Sequence, residues 1–185
     1  TVACRPCGRS SRLQDVGATA MVTRTPRQQF LGLIAWLALT FVAAWLGAIA
    51  STQAEDFYAS LAKPDWAPPG WLFGPVWTDL YVLMAVAAWL VWRRTESRLS
   101  RLALALFVAQ LGANALWTWL FFVWRQGAWA FVEVLALWCL IALCLVSFWR
   151  HSRVAAALLT PYLAWVSFAT ALTWATWRAN PAILG

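Results

Sequence analysis

Three helical spacings in this chain gather aromatic and polar side chains that could hold a flat apolar molecule. Phe73, Trp77 and Tyr81 recur at i, i+4 and i+8, on one face of a helix. Tyr162, Trp165, Ala169 and Thr173 repeat the pattern later, with Ala169 leaving room among larger neighbours. Between the two, Gln110 and Asn114 stand at i and i+4, with Trp117 three residues further on. Rings on one face offer a stacking surface, and a few amide or hydroxyl groups orient what stacks there. On spacing alone, core packing accounts for the rings more simply than a ligand box. Gln110 and Asn114 serve equally well as polar contacts to a neighbouring helix.

Nothing else in the chain assembles an ordinary catalytic site. Asp79 stands in an apolar run, roughly 12 Å deep if a helix starts near Trp71, at about 1.5 Å per residue. An ionisable group at that depth points to function. It lies about 200° around the helix from Trp77, so a cavity lined by Trp77 would leave Asp79 to another helix or subunit. Glu133 either lines the same space or snorkels to the interface. Cys4 and Cys7 form a CxxC pair, but a zinc site takes four ligands and no second pair or nearby His supplies them. His151 sits in a basic turn, and Cys139 and Cys144 read as small apolar residues. With no nucleophile–base pair and no nucleotide loop, no catalytic residue, metal or cofactor is expected.

What must position the aromatic stripes is a membrane bundle. The chain is 63% hydrophobic and 11% charged, against about 25% charged in soluble domains. Apolar runs near 30–49, 71–92, 102–124, 128–149 and 154–177 each approach the ~20 residues that a span needs. A soluble bundle would show amphipathic stripes instead. The expected fold is therefore an all-α integral membrane protein, a five-transmembrane-helix bundle over residues 26–185. Residues 1–25 read as a disordered, basic tail without a signal-peptide core, and Met21 reads as an alternative start. Pro64, Pro68 and Pro69 bias their surroundings towards extended backbone, so 50–70 is a connector and the second helix starts no earlier than Pro69 or Gly70. The other loops are short, which makes sequential helices antiparallel neighbours.

Charge adds an orientation. The net charge of +7 comes from basic residues at the ends of apolar runs, where membrane topology needs them. No nucleic-acid partner is expected from such a distribution. Eleven of the fourteen basic residues fall on the side of the N-terminus, leaving Lys63, Arg125 and Arg178 opposite. The expectation is a bacterial inner membrane, a cytoplasmic N-terminus and the 50–70 connector outside. Asp79, Asn114, Trp117, Glu133 and Thr173 then fall in the outer half of the bundle, which places a pocket under the connector.

The stretch WAPPGWLFGPVWTDLY, from Trp66, resembles the signature of the TspO/MBR family, the tryptophan-rich sensory and translocator (peripheral benzodiazepine receptor) proteins. QLGANALWTWLFF from Gln110 and PYLAWVSFATAL from Pro161 are similar to that family's third-helix and fifth-helix motifs. The resemblance covers about residues 30–181. It implies a pocket beneath the first loop that takes porphyrins, sterols or synthetic drug ligands. By motif match the pocket residues are Tyr58 and Pro68 in the loop, Phe73, Trp77 and Tyr81, then Asn114, Trp117, Trp129, Trp165 and Ala169. Thr173 stands where the family usually has Asn. The family's C-terminal sterol motif wants Tyr before a basic residue, whereas LTWATWR offers Trp174, which weakens the case for sterols. Members in mitochondrial or bacterial outer membranes leave the choice of membrane open.

Three functions compete. The leading one is a receptor or translocator for tetrapyrroles such as protoporphyrin IX, acting in porphyrin or stress sensing or in transport. Alternatives are a light- or oxygen-dependent porphyrin-degrading enzyme using Trp77 and Trp165, or a non-catalytic membrane scaffold. Expected partners are the lipid bilayer, a hydrophobic ligand and a second copy of the chain. The homodimer is implied by the resemblance, with Ala105, Ala109 and Ala113 beside Gly112 as a small-residue face, although packing within one monomer explains that face equally well.

Overall fold

The computed structural model describes residues 24–52, 54–94 and 97–185. The expected tail, apart from Arg24 and Thr25, lies outside the described residues, and with it Cys4, Cys7 and Met21. Among the described residues, five helices are long and apolar enough to cross a bilayer. The protein is an all-α, five-span integral membrane protein.

Helix α1 (Pro26–Ala50) begins at a capping box, in which Thr25 and Gln28 satisfy each other's backbone amides and Pro26 occupies the first turn. The connector contains a short helix α2 (Ala54–Ser60), absent from the expectation. Its seven residues are too few to show a helical period and carry three polar or charged side chains. After the prolines, a 3-10 turn at Gly70–Leu72 leads into α3 (Phe73–Trp92), within three residues of the expected start. Ser97 caps α4 (Arg98–Thr118), whose last turn widens into a π-turn at Trp119–Val123. Arg125, at φ 53°, turns the chain into α5 (Gly127–His151). Ser152 then caps α6 (Arg153–Ala179), and α7 (Pro181–Leu184) closes the described chain.

The five spans close into a ring in the order α1, α3, α6, α5, α4. The expectation that sequential spans are side-by-side neighbours therefore fails for α3 and α4, because α1 packs against both. Small residues set the close approaches. A Cβ on Gly32 would stand 2.2 Å from the Trp92 ring, so α1 meets α3 only because that side chain is missing. Gly127 admits Trp177 in the same way, at 2.4 Å.

The N-terminal half of the bundle's depth is solid. Met84, Ala88 and Val91 of α3 meet Phe107 of α4, Ile141 and Phe148 of α5, and Leu159 of α6 in one core. Outward-facing apolar side chains such as Phe30, Trp45, Leu102, Leu143 and Trp174 remain exposed and form the lipid-facing surface. Trp71, Trp124, Trp129 and Trp149 project from the helix ends, as an interfacial belt does. Trp92 and Trp177, also near helix ends, are half-buried against Gly32 and Gly127.

Candidate ligand-binding cavity

The opposite half of the bundle is hollow. A cavity of about 450 Å³ lies among α1, α3, α4, α5 and α6 and under α2, within the usual range of about 300–1,000 Å³ for small-molecule sites. Large rings stand around it while α1 supplies a wall of small residues, Ala44, Gly47 and Ala48. That contrast of sizes leaves the space unfilled.

Its floor is a polar chain linking three helices. The Tyr81 hydroxyl donates to Asn114 Oδ1 at 2.6 Å, and Asn114 Nδ2 donates to the Tyr162 hydroxyl at 3.2 Å. Tyr162 in turn donates to Gln110 Oε1 at 2.8 Å. Gln110 and Asn114 thus do bond neighbouring helices, and Asn114 also faces the cavity. Buried polar groups in a bilayer must find partners internally, so this chain ties α3, α4 and α6 in one register.

The walls are aromatic. Phe73 meets Trp165 edge-on at 5.8 Å, and Trp77 lies 5.6 Å from Tyr81 and 6.1 Å from Tyr162. Trp117 stacks on Phe121 at 5.3 Å with planes 13° apart. Trp117 and Phe121 meet as i, i+4 neighbours, and the π-turn brings Phe122, five residues from Trp117, round to the cavity side as well.

The roof is held at both ends. Tyr58, buried on α2, packs on Phe73 and donates its hydroxyl to the Pro68 carbonyl at 3.1 Å. Burial raises the Tyr58 pKa above the ordinary phenol value. Asn180, just past α6, accepts from the Ala62 amide at 2.9 Å and donates to the Ala62 and Thr176 carbonyls at 2.8 Å. Trp66 rests on Phe168, 5.7 Å away.

Tyr58, Phe73, Trp77, Tyr81, Asn114, Trp117, Trp165, Ala169 and Thr173 all line the cavity. Pro68 does not. Its carbonyl instead fixes Tyr58. Trp129 is a correction: it is 65% exposed, on the outer face of α5, because Ala130 and Val134 take the inward positions. Asp79 is exposed on the far side of α3 from Trp77, as the helical angle requires. Glu133 is half-buried but does not reach the cavity, and one carboxyl oxygen has no protein partner. Thr176 and Leu172 were missed, although Thr176 continues the Ala169–Thr173 stripe by three residues. Glu55 was missed because α2, which aims it, has no signature in the sequence.

The profile of the TspO/MBR family matches residues 36–178. A human protein named Translocator protein is 41% identical over 128 residues, covering 67% of this chain and 75% of its own length. Tryptophan-rich protein TspO of Archaeoglobus fulgidus is 36% identical over 151 residues, covering 81% of this chain and 97% of its own. Tryptophan-rich sensory protein of Cereibacter sphaeroides is 40% identical over 148 residues, with 78% and 91% covered.

Proposed function

From the premise that the chain belongs to the TspO/MBR family, we propose that it is a membrane receptor or translocator that binds tetrapyrroles, protoporphyrin IX among them. The ligand occupies the cavity under the first loop and serves porphyrin or stress sensing, or transport. The observation that carries this reading is the cavity itself, where Trp77, Trp117 and Trp165 surround about 450 Å³ beneath a pinned roof. A planar macrocycle suits ring-lined walls, and Asn114 and Thr173 supply the few polar groups that orient it. Tyr58, Phe73, Tyr81 and Ala169 complete the binding set, with Pro68 acting through Tyr58.

Titration of the purified protein with protoporphyrin IX, followed by tryptophan fluorescence, tests the reading. Saturable quenching that weakens in Trp165→Phe and Trp117→Phe is expected. Quenching that is linear in porphyrin, with no saturation, refutes it.

Two further parts of the reading concern placement. The protein sits in a bacterial inner membrane with its N-terminus in the cytoplasm, supported by the arginines at one end of the bundle. It forms a homodimer through α4, supported by Ala105, Ala109 and Gly112, which face outwards, while Ala113 of the same small-residue face packs on the core. A Cβ on Gly112 would meet nothing within 4 Å, so no helix among the described residues covers that face.

A further inference from the structure

We propose that the cavity sorts its ligands by charge, admitting neutral and cationic aromatic molecules and resisting carboxylates, with Glu55 as the residue that sets the preference. The inference rests on the ligand-cavity reading above and narrows the class of molecule it takes.

Among the described residues that line the cavity there is no Lys, Arg or His, and Glu55 is the one carboxylate. Glu55 is exposed and also lines the cavity, which places it at the mouth. Its Cγ lies 3.8 Å from where a Cβ on Gly70 would stand, so it faces the start of the 3-10 turn across the opening. A ligand whose ring system enters first leaves its polar tail beside this carboxylate. The separation is then well inside the screening length of about 8 Å at physiological salt.

The nearby cations are already committed. Lys63 has three N–H donors, and its Nζ bonds to the carbonyls of Tyr58, Ala59 and Leu61. The same ammonium lies 4.7 Å over the Tyr58 ring. Arg125 lies 5.0 Å over Phe57, which does not line the cavity. Lys63 cannot receive a ligand carboxylate without giving up contacts that hold the roof, and Arg125 lies over a ring outside the cavity lining. Inside, the faces of Trp77, Trp117 and Trp165 carry the negative side of the ring quadrupole, which favours positive charge. A dicarboxylate porphyrin must therefore bind with its acids held out past Glu55, and its neutral diester fits with less opposition.

The test uses pyrenebutanoate, pyrenebutanol and pyrenebutylamine, one ring system with three charges, titrated into the full-length protein in an uncharged detergent. Binding is read as energy transfer from tryptophan to pyrene. Comparing variants with wild type cancels the unequal partitioning of the probes into micelles. Glu55→Gln is expected to tighten pyrenebutanoate about fivefold, weaken pyrenebutylamine by a similar factor and leave pyrenebutanol unchanged, as for two unit charges near contact in water. Glu55→Lys is expected to shift the acid and the amine further in the same two directions, each relative to its own binding to wild type. Equal shifts of all three probes in Glu55→Gln, or no shift in any, overturn the proposal. Protoporphyrin IX and its dimethyl ester, run alongside, separate the two claims. If neither porphyrin quenches while the pyrene series follows charge, the tetrapyrrole reading fails and the charge rule stands.

Discussion

Substituting Asn114 should uncouple three helices, and the size of the effect can be worked from the hydrogen bonds beneath the cavity. Asn114→Ala removes the 2.6 Å bond from Tyr81 and the 3.2 Å bond to Tyr162. Tyr162 keeps Gln110 at 2.8 Å, whereas Tyr81 loses the hydroxyl partner it has in this network. Hydrogen bonds between membrane helices average about 0.6 kcal/mol and reach about 1.7. Tyr81 and Asn114 are 7% and 4% exposed, and the bond is short, so it should fall in the upper part of that range. We expect Asn114→Ala to cost about 2–3 kcal/mol and Tyr81→Phe about 1 kcal/mol. In the double mutant, a coupling energy of about 1 kcal/mol should remain. Reversible unfolding of ligand-free protein in mixed micelles, titrated with a denaturing detergent, measures all four corners of the cycle. Asp79→Asn, on the exposed face of α3, is the control, with an expected change within about 0.5 kcal/mol. Additivity of Tyr81→Phe and Asn114→Ala to within about 0.3 kcal/mol would refute the claim that this contact holds α3 to α4.

Asn180→Ala removes the clasp between α6 and the connector, and should cost about 0.5–1.5 kcal/mol by removing its hydrogen bonds to the exposed Ala62 backbone. Faster hydrogen exchange at 61–64 with unchanged exchange in α5 is the expected signature, and uniform acceleration across the bundle would contradict it. Gly127→Ala drives a methyl to 2.4 Å from Trp177 and 2.8 Å from the Leu184 carbonyl, and should destabilise by about 1–3 kcal/mol. Denaturant midpoints check it, with Gly112→Ala as a comparison in open space. Saturating protoporphyrin IX should slow exchange across 51–70, since Tyr58 and Gly70 close the cavity from that side. Exchange there that ignores the porphyrin would argue against a lid.

The one-dimensional pattern decided the class of this protein. Five apolar runs of spanning length admit only helices in a bilayer, because each backbone amide must find its partner within its own segment. The i, i+4, i+8 spacing of Phe73, Trp77 and Tyr81 put those rings on one face, and the same periodicity set Asp79 on the other. What periodicity cannot say is which neighbour a face meets. The ring order α1, α3, α6, α5, α4 was decided by long-range packing through Gly32, Gly127 and the Asn114 chain. Trp129 shows the same limit from the other side. It carries a ring of the right kind at a matching motif position, yet it faces out because Ala130 and Val134 take the packed positions. Glu55 enters the site only because a seven-residue helix, too short for sequence periodicity to reveal, turns it towards the mouth. Local spacing sets the direction of a side chain about its own helix axis, and only the assembled bundle decides whether that direction points into lipid, into a neighbour or into empty space.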